Sequence, residues 1–179
     1  KNFRYAIFWG LDRETIVGAT YRTNLPCAYH YGFTTTVPDP EDPDNKVINY
    51  RESEYAASIK LDGHPLENNC YNPDLALEYF QKAYENNGNQ KIEVEMQYIE
   101  DNVTSKAWAE AIQEHFKNLF GEDRFQINLR AIPAALVYEN LQRDNLNYEI
   151  LAAGGIYPNI EYPWANSNWV SSGPDTYST

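Results

Sequence analysis

Cysteine and histidine are the residues of this chain whose types and spacing could bind a metal. Cys27 and His30 are spaced like half of a zinc site, and His64 with Cys70 could supply the other half. The spacing between the halves is loose and no CxxC pair is present, so we do not expect a metal. Two free thiols are the default interpretation of Cys27 and Cys70, and a disulfide between them stays open because both lie in loop-like sequence.

The same residues do not assemble a catalytic motif. A nucleophilic enzyme needs a base beside its nucleophile and a third group that orients the base, and His30, His64 and His115 stand in no such pattern. His115 lies one residue off the apolar stripe of a predicted helix, which favours a boundary residue over a catalyst. The sequence has no G-x-S-x-G elbow, Gly-rich phosphate loop or HExxH. We therefore predict a protein that is not an enzyme and needs no cofactor.

The charge of the chain argues against two classes of partner. Its 26 acidic and 14 basic residues give a net charge of −12 at pH 7. A surface that binds nucleic acid or anionic lipid needs clustered Lys and Arg instead. The length of 179 residues allows one domain with a substantial core, or at most two small ones. No run of apolar residues approaches the length of a membrane span.

The first part of the chain combines two short helices with a long irregular stretch. Apolar residues at helical spacing predict helices over residues 2–10 and 13–22, with Asp12 as the N-cap of the second. Regularity is lost over residues 23–72, where three prolines between positions 38 and 43 forbid helix and disfavour a paired strand. A short helix is expected within this stretch, at residues 52–59.

The remainder alternates helices and strands. Asn72 and Pro73 mark a helix start, and strict alternation over residues 91–98 predicts a half-buried strand whose outward acids form a solvated face. The further predicted elements are a helix over residues 104–120, a strand over 125–130, a helix over 134–141 and a buried strand over 148–153. This order implies parallel strands in an α/β domain. Ligands bind at the carboxyl ends of the strands in such sheets.

Several segments resemble the motifs of one protein family. Residues 3–16, FRYAIFWGLDRETI, are similar to its R-x-A-hydrophobic-x-x-A-I-D-R stretch, and residues 71–80, YNPDLALEYF, to its Y-N/D-P-E-K-A-K-x-L-L helix start. Residues 148–163, YEILAAGGIYPNIEYP, resemble its D-F/Y-D-L-x-x-x-G-W-x-x-D-Y-x-D-P segment. The family is that of the bacterial extracellular solute-binding proteins of the oligopeptide and dipeptide ABC importer class.

This resemblance implies a fold, a ligand and partners. The implied fold class is α/β: one lobe of a two-lobed, periplasmic-binding-protein-like (type II) fold, with a mixed sheet flanked by helices. Residues 1–179 would form that single lobe, as a fragment of a larger binding protein. The implied function is capture of extracellular oligopeptides, with a second lobe, a membrane permease and an ATPase as partners. The implied location is the outer face of the cell membrane, through a lipid anchor, or the periplasm.

The resemblance also implies which residues contact the peptide. Gly154, Gly155 and Ile156 match the segment whose backbone pairs with the extended ligand. In this form of strand addition the main-chain hydrogen bonds supply affinity for any sequence. Ile156 stands where the family has Trp, so the aromatic wall is missing unless Tyr157 or Trp164 supplies it.

Two further pairs of residues complete the candidate site. Asn159 stands where the family has the Asp that pairs with the ammonium of the peptide. We therefore expect a ligand whose amino end is bound differently, or a compensating acid at Glu161. Tyr29 and Tyr31 could line the cleft or seal a long loop onto the lobe.

Two alternative functions keep this fold. One is a receptor that senses a peptide signal, and the other is a binding protein for a non-peptide ligand such as a nickel chelate or a sugar. Sequence does not separate a receptor from an importer component, because both would use the same cleft.

Overall fold

The computed structural model describes residues 1–20, 36–66, 68–141 and 149–152. The contacts within the chain divide it into two units. The first comprises Lys1–Pro26 and Asn68–Gly154, and the second comprises Cys27–Glu67 and Gly155–Thr179. That residues 1–179 form a single lobe of a larger protein stays a prediction.

Two short helices open the first unit: α1 spans Asn2–Gly10 and α2 spans Arg13–Thr20. Asp12 caps α2, because its carboxylate accepts hydrogen bonds from the backbone N–H of Thr15 (3.0 Å) and from the Thr15 hydroxyl (2.7 Å). The structure confirms both helices and the cap. Residues 21 and 22, also predicted to be helical, lie outside the described residues.

The second unit, described over residues 36–66, consists of two hairpins with helical turns between them. Strand β1 (Thr36–Pro38) pairs antiparallel with β2 (Val47–Asn49), a 3₁₀ turn covers Tyr50–Glu52, helix α3 covers Glu54–Ser58, and β3 (Lys60–Leu61) pairs with β4 (His64–Pro65). Asp62 and Gly63 form the turn of the second hairpin with φ of 53° and 87°. Positive φ at both positions is what a type I′ turn requires.

This unit has more regular structure than the sequence predicted. Helix α3 confirms the expected short helix, and its N-cap Ser53 accepts a hydrogen bond from the N–H of Ala56 (3.2 Å). The expectation that the proline-rich stretch avoids a paired strand was wrong at Pro38, which lies opposite Val47. The ladder tolerates proline there because Pro38 is the last residue of a strand in a two-stranded ribbon.

Helix α4, which spans Pro73–Asn86, starts as predicted. The Asn72 side chain accepts a hydrogen bond from the N–H of Leu75 (3.1 Å), and Pro73 occupies the first helical position, where its missing N–H has no helical partner to lose. The N–H of Asn72 donates to the carbonyl of Trp9 (2.8 Å), which ties the start of α4 to the end of α1. Gly88, with a φ of 68°, follows the end of α4.

Three parallel strands form the sheet of the first unit. They are β5 (Ile92–Ile99), β6 (Phe125–Ile132) and β7 (Ile150–Ala152), in the order β6-β5-β7. Helix α5 (Val103–Phe120) connects β5 to β6, and helix α6 (Ala134–Leu141) follows β6 after Pro133. The structure confirms the predicted alternation and the parallel direction. Residues 148 and 153, predicted as part of the third strand, lie outside the described residues.

The core lies between one face of the sheet and the helices. Phe80 of α4 stacks on Phe120 of α5 with ring centroids 4.2 Å apart, and Phe120 meets Phe125 of β6 edge-on at 5.4 Å. Each of these rings is at most 2% exposed. Met96 of β5 (1% exposed) belongs to the same buried set. Burial of this size supplies the main free energy that holds α4 and α5 to the sheet.

The opposite face of the sheet is polar but not wholly solvated. Glu93, Gln126 and Asn128 are exposed, as the alternation predicted. Gln97, on the same face of β5, is only 3% exposed. Asn140 of α6 lies over it and donates a hydrogen bond to the Gln97 carbonyl oxygen (2.9 Å), which satisfies the buried amide.

Candidate functional site

The residues that the sequence proposes for ligand contact lie outside the described residues. They are Gly154, Gly155, Ile156, Tyr157, Asn159, Glu161, Tyr29 and Tyr31. The structure instead describes the framework that leads to the first six of them, which is the parallel sheet. Strand β7 ends at Ala152, two residues before Gly154.

Strand β7 pairs with the carboxyl half of the central strand. Its three residues pair as Met96–Ile150, Gln97–Leu151 and Tyr98–Ala152. Because the strands are parallel, β7 ends at the same edge of the sheet as β5. The described part of β7 therefore runs toward the carboxyl edge of the sheet, where ligands bind in open α/β sheets.

The backbone groups of β5 alternate between its two neighbours. The N–H of Ile92 donates to the Arg124 carbonyl (2.9 Å), and the N–H of Glu100 donates to the Ile132 carbonyl (3.0 Å). Both N–H groups belong to even-numbered residues and point toward β6. In a regular ladder the odd-numbered N–H groups of β5 therefore face β7.

Side chains accept hydrogen bonds from two of these odd-numbered donors. The N–H of Glu95 donates to the carboxylate of Glu149, the residue just before β7. The N–H of Ile99 donates to the hydroxyl of Ser105 (3.1 Å). Glu149 and Ser105 thus anchor β5 at two positions along this edge.

Ser105 is held in place by the first turn of α5. It is 6% exposed, and its N–H donates to the side chain of Asn102 (2.9 Å), the N-cap of the helix. The N–H of Asn102 donates in turn to the Ile99 carbonyl (3.2 Å). Ser105 was not predicted from the sequence, where the available signal was its position three residues after Asn102, typical of a helix first turn.

A polar network supports the sheet from its other face. The Gln97 amide donates to the Glu95 carboxylate (2.9 Å), and Arg130 of β6 pairs with the same carboxylate at 3.3 Å. Together with the bond from Asn140 to Gln97, these contacts attach α6 to β5 and β6. The network positions the elements that flank the carboxyl edge.

A crevice of about 370 Å³ lies at the start of α2, away from this network. It is lined by Asp12, Arg13, Glu14, Thr15, Asn69 and Tyr71. The Arg13 guanidinium donates to the carbonyls of Asn69 (3.0 Å) and Phe8 (3.1 Å). Burial, with a smaller effect from the negative charge of Asp12, raises the pKa of Tyr71 above its ordinary value. These contacts support a structural role for the crevice.

The histidines and cysteines are dispersed among the described elements. His115 is half-buried, with its Nε2 2.6 Å from the carbonyl of Gly10, which confirms the predicted boundary position. Cys70 is fully buried, while Cys27 and His30 lie outside the described residues. Over the described ranges, no group of three or more His, Cys, Asp or Glu side chains could hold a metal ion. No helix in these ranges is long and apolar enough to cross a membrane.

Comparison with known families gives one match, which covers nearly the whole chain. The description "Bacterial extracellular solute-binding proteins, family 5 Middle" matches residues 1–177. No curated protein sequence matches the chain.

Solved structures share the fold. Listeria monocytogenes OppA bound to peptide superposes with a TM-score of 0.66 at 21% identity, covering 99% of this chain and 31% of that one. The substrate-binding domain of an oligopeptide ABC transporter from Bacillus anthracis gives 0.64 at 14% identity, with coverages of 99% and 31%. NikA from Brucella suis in complex with Fe(III)-EDTA gives 0.54 at 19% identity, with coverages of 99% and 32%. The chain thus spans about one third of the length of these structures, and its fold is that of part of a type II binding protein.

Proposed function

Because the chain belongs to family 5 of the bacterial extracellular solute-binding proteins, we propose that it captures oligopeptides outside the cell for an ABC importer. The observation that carries the proposal is the family match over residues 1–177. The parallel sheet supports the proposal, since β7 pairs with the carboxyl half of β5 and a ligand is expected at the carboxyl edge of such a sheet.

The proposed mode of binding is strand addition. The backbone of Gly154, Gly155 and Ile156 pairs with the main chain of an extended peptide, which gives affinity without reading the peptide sequence. Tyr157, Tyr29 and Tyr31 supply aromatic walls with polar tips for the peptide side chains. Asn159 stands at the position that pairs with the amino end of the peptide, and Glu161 is the candidate compensating acid.

The chain acts as one lobe of a longer protein in this proposal. The matched OppA structure is about three times as long, since this chain covers 31% of it. The second lobe closes over the peptide, and a membrane permease and an ATPase receive it. The protein works at the outer face of the membrane, through a lipid anchor, or in the periplasm, and it performs no catalysis.

The proposal is tested by native purification of the full-length protein followed by mass spectrometry of whatever it carries. We expect a ladder of short peptides of varied sequence, because main-chain recognition selects extended backbone rather than side chains. A single non-peptide species, or a cleft that stays empty against a peptide library, would overturn it.

Asn159 provides a sharper prediction about the amino end of the ligand. A neutral amide binds an ammonium group less strongly than a carboxylate does, by roughly a factor of two in hydrogen-bond energy. Asn159→Asp should therefore tighten binding of peptides with free amino ends by up to about tenfold, and leave N-acetylated peptides unchanged.

Calorimetric titration of both peptide types measures the effect of this substitution. Asn118→Asp is the matched control, because it adds the same charge on an exposed side of α5. Unchanged affinity of Asn159→Asp for free-amine peptides would show that Asn159 does not contact the ammonium.

A non-peptide ligand is the second candidate. It is favoured by the shared fold with NikA, whose structure was solved with Fe(III)-EDTA rather than a peptide. The same mass spectrometry separates the two candidates, because a chelate appears as one species of fixed mass.

A further inference from the structure

The turn that follows α4 contains an asparagine directly before a glycine, Asn87–Gly88. An asparagine side chain loses its amide most readily in this pair, because glycine has no side chain to hinder attack by its own nitrogen. No other asparagine among the 179 residues precedes a glycine. Asn87 and Gly88 are both exposed, so water reaches the groups that would react.

We propose that Asn87 is a site of spontaneous deamidation, and that opening of the turn after α4 sets the rate of the reaction. The Gly88 nitrogen loses its proton to solvent and attacks Cγ of Asn87. The N–Cγ bond forms, the Cγ–Nδ2 bond breaks, and Nδ2 takes up a proton and leaves as ammonia. Water then opens the succinimide ring at Cγ, which gives aspartate, or at the main-chain carbonyl carbon, which gives isoaspartate. This inference does not depend on the proposed function.

The backbone of the folded turn keeps the two reacting groups apart. Asn87 has a ψ of 16°. A ψ near zero places the nitrogen of the next residue beside the residue's own nitrogen, and therefore away from its Cβ and Cγ. The leaving group is also held, because Nδ2 of Asn87 donates to the Gln90 carbonyl (3.1 Å). The succinimide ring can thus close only after the turn has opened and the backbone of Asn87 has rotated.

Backbone hydrogen bonds hold this turn closed. The N–H of Gly88 donates to the Glu85 carbonyl (3.0 Å), and the N–H of Asn89 donates to the Tyr84 carbonyl (3.0 Å). Both bonds satisfy carbonyl groups at the end of α4. Residues 85–90 are all exposed, and exposed helix ends open locally at a much lower free energy than global unfolding requires. The reaction is therefore slowed by the turn but does not need an unfolded protein.

The products of the reaction weaken the end of α4. Aspartate at position 87 adds a negative charge at the carboxyl end of the helix, where the helix dipole disfavours it. Its carboxylate cannot donate to the Gln90 carbonyl as the amide does. Isoaspartate also lengthens the main chain within the turn, which displaces the donors of Gly88 and Asn89 from their acceptors. Deamidation thus loosens the connection between α4 and β5.

The test follows position 87 of the full-length protein at mildly alkaline pH, with the protein folded in buffer or unfolded in urea. Peptide mapping by mass spectrometry measures the aspartate and isoaspartate formed there. Both products should form in the folded protein about ten- to a hundredfold more slowly than in urea, because only the opened turn reacts. Equal rates in buffer and urea would overturn control by the turn. Absence of both products from the folded protein after about a hundred half-times of the reaction in urea would overturn the site.

Two alanine substitutions at opposite ends of α4 show whether the turn or the whole protein must open. Asn89 has a φ of 58°, which asparagine tolerates better than alanine. Asn89→Ala should therefore speed the reaction in the folded protein about three- to tenfold and leave the rate in urea unchanged. Asn72→Ala removes the N-cap of α4 and should keep both rates within about twofold of those of the unaltered protein. No acceleration by Asn89→Ala, or equal acceleration by both substitutions, would overturn the proposal.

Discussion

At the scale of single residues, Arg13 connects the end of α1 to the backbone at Asn69. Its Nη1 donates to the carbonyls of Leu11 (3.1 Å) and Asn69 (3.0 Å), its Nη2 donates to the Phe8 carbonyl (3.1 Å), and the guanidinium lies 5.0 Å from the Phe8 ring centroid. Only a planar group with several fixed donors can make this set of contacts. Asp12 caps α2 beside it. The Asp12–Arg13 pair, which carries part of the family resemblance, is therefore structural.

Tyr71, which lies in the same crevice, should make stability depend on high pH. Burial, and then the charge of Asp12, raise the pKa of the Tyr71 phenol above its ordinary value of about 10. The folded state thus favours the protonated phenol, and this stabilisation is complete below pH ~10 and is lost as pH rises through the folded pKa. We expect Tyr71→Phe to show a shallower fall of the unfolding free energy above pH ~10. Urea titrations at several pH values give the unfolding free energy of both proteins. An equally steep fall of this free energy at high pH in both proteins would contradict the prediction.

At the scale of elements, Gly10 sets how closely the end of α1 approaches α4 and α5. A Cβ atom at this position would lie 2.9 Å from Leu119 Cδ2, 3.1 Å from Phe116 Cε1 and 3.2 Å from Ala76 Cβ. These distances are shorter than normal carbon contacts, and Phe116 is 1% exposed within a packed core. Glycine is required there by close packing.

A pair of glycine substitutions tests this packing. Gly10→Ala should destabilise the protein by about 1–3 kcal/mol, because the core must shift to admit a methyl group. Gly18→Ala in α2 is the matched control, since no atom lies within 4 Å of its added Cβ. That variant should stabilise the helix by up to about 1 kcal/mol. Chemical denaturation measures the stability of both variants. Stabilisation by both substitutions would show that Gly10 is not constrained by packing.

At the scale of the whole molecule, the chain is organised as two units, and the sheet with its helices belongs to the first. The matched OppA structure is about three times as long as these 179 residues, since the chain covers 31% of it. A ligand held between two lobes owes much of its burial to each of them. Affinity is thus expected to be a property of the complete protein.

We therefore expect the 179-residue chain alone to bind a synthetic alanine-rich hexapeptide with free termini at least about tenfold more weakly than the full-length protein does. Calorimetry on both proteins provides the comparison. Hydrogen exchange of the β5 amides should first establish that the isolated chain keeps its sheet. Equal affinities would mean that this chain carries the complete binding site.

The sequence predicted most of the first unit because its signals are local. Asn72 and Pro73 define a helix start within two residues, and the alternation of apolar and polar residues along β5 is visible over its eight residues. The alternation of helices and strands pointed to the segment after the third strand, and the resemblance of residues 148–163 to a family motif supplied the candidate residues within it. Those residues stay a prediction, because they lie outside the described residues.

The sequence by itself determined where helices begin, which strands alternate and that the strands run parallel, since each depends on neighbours along the chain or on element order. Only the tertiary structure determined which polar groups of the strands form hydrogen bonds with side chains of other elements. Gln97 is buried where Asn140 of α6 bonds to it, and Ser105 accepts a hydrogen bond from Ile99 because the first turn of α5 folds back on the end of β5. Both outcomes depend on sheet register and helix placement, which arise from contacts between residues far apart in the chain.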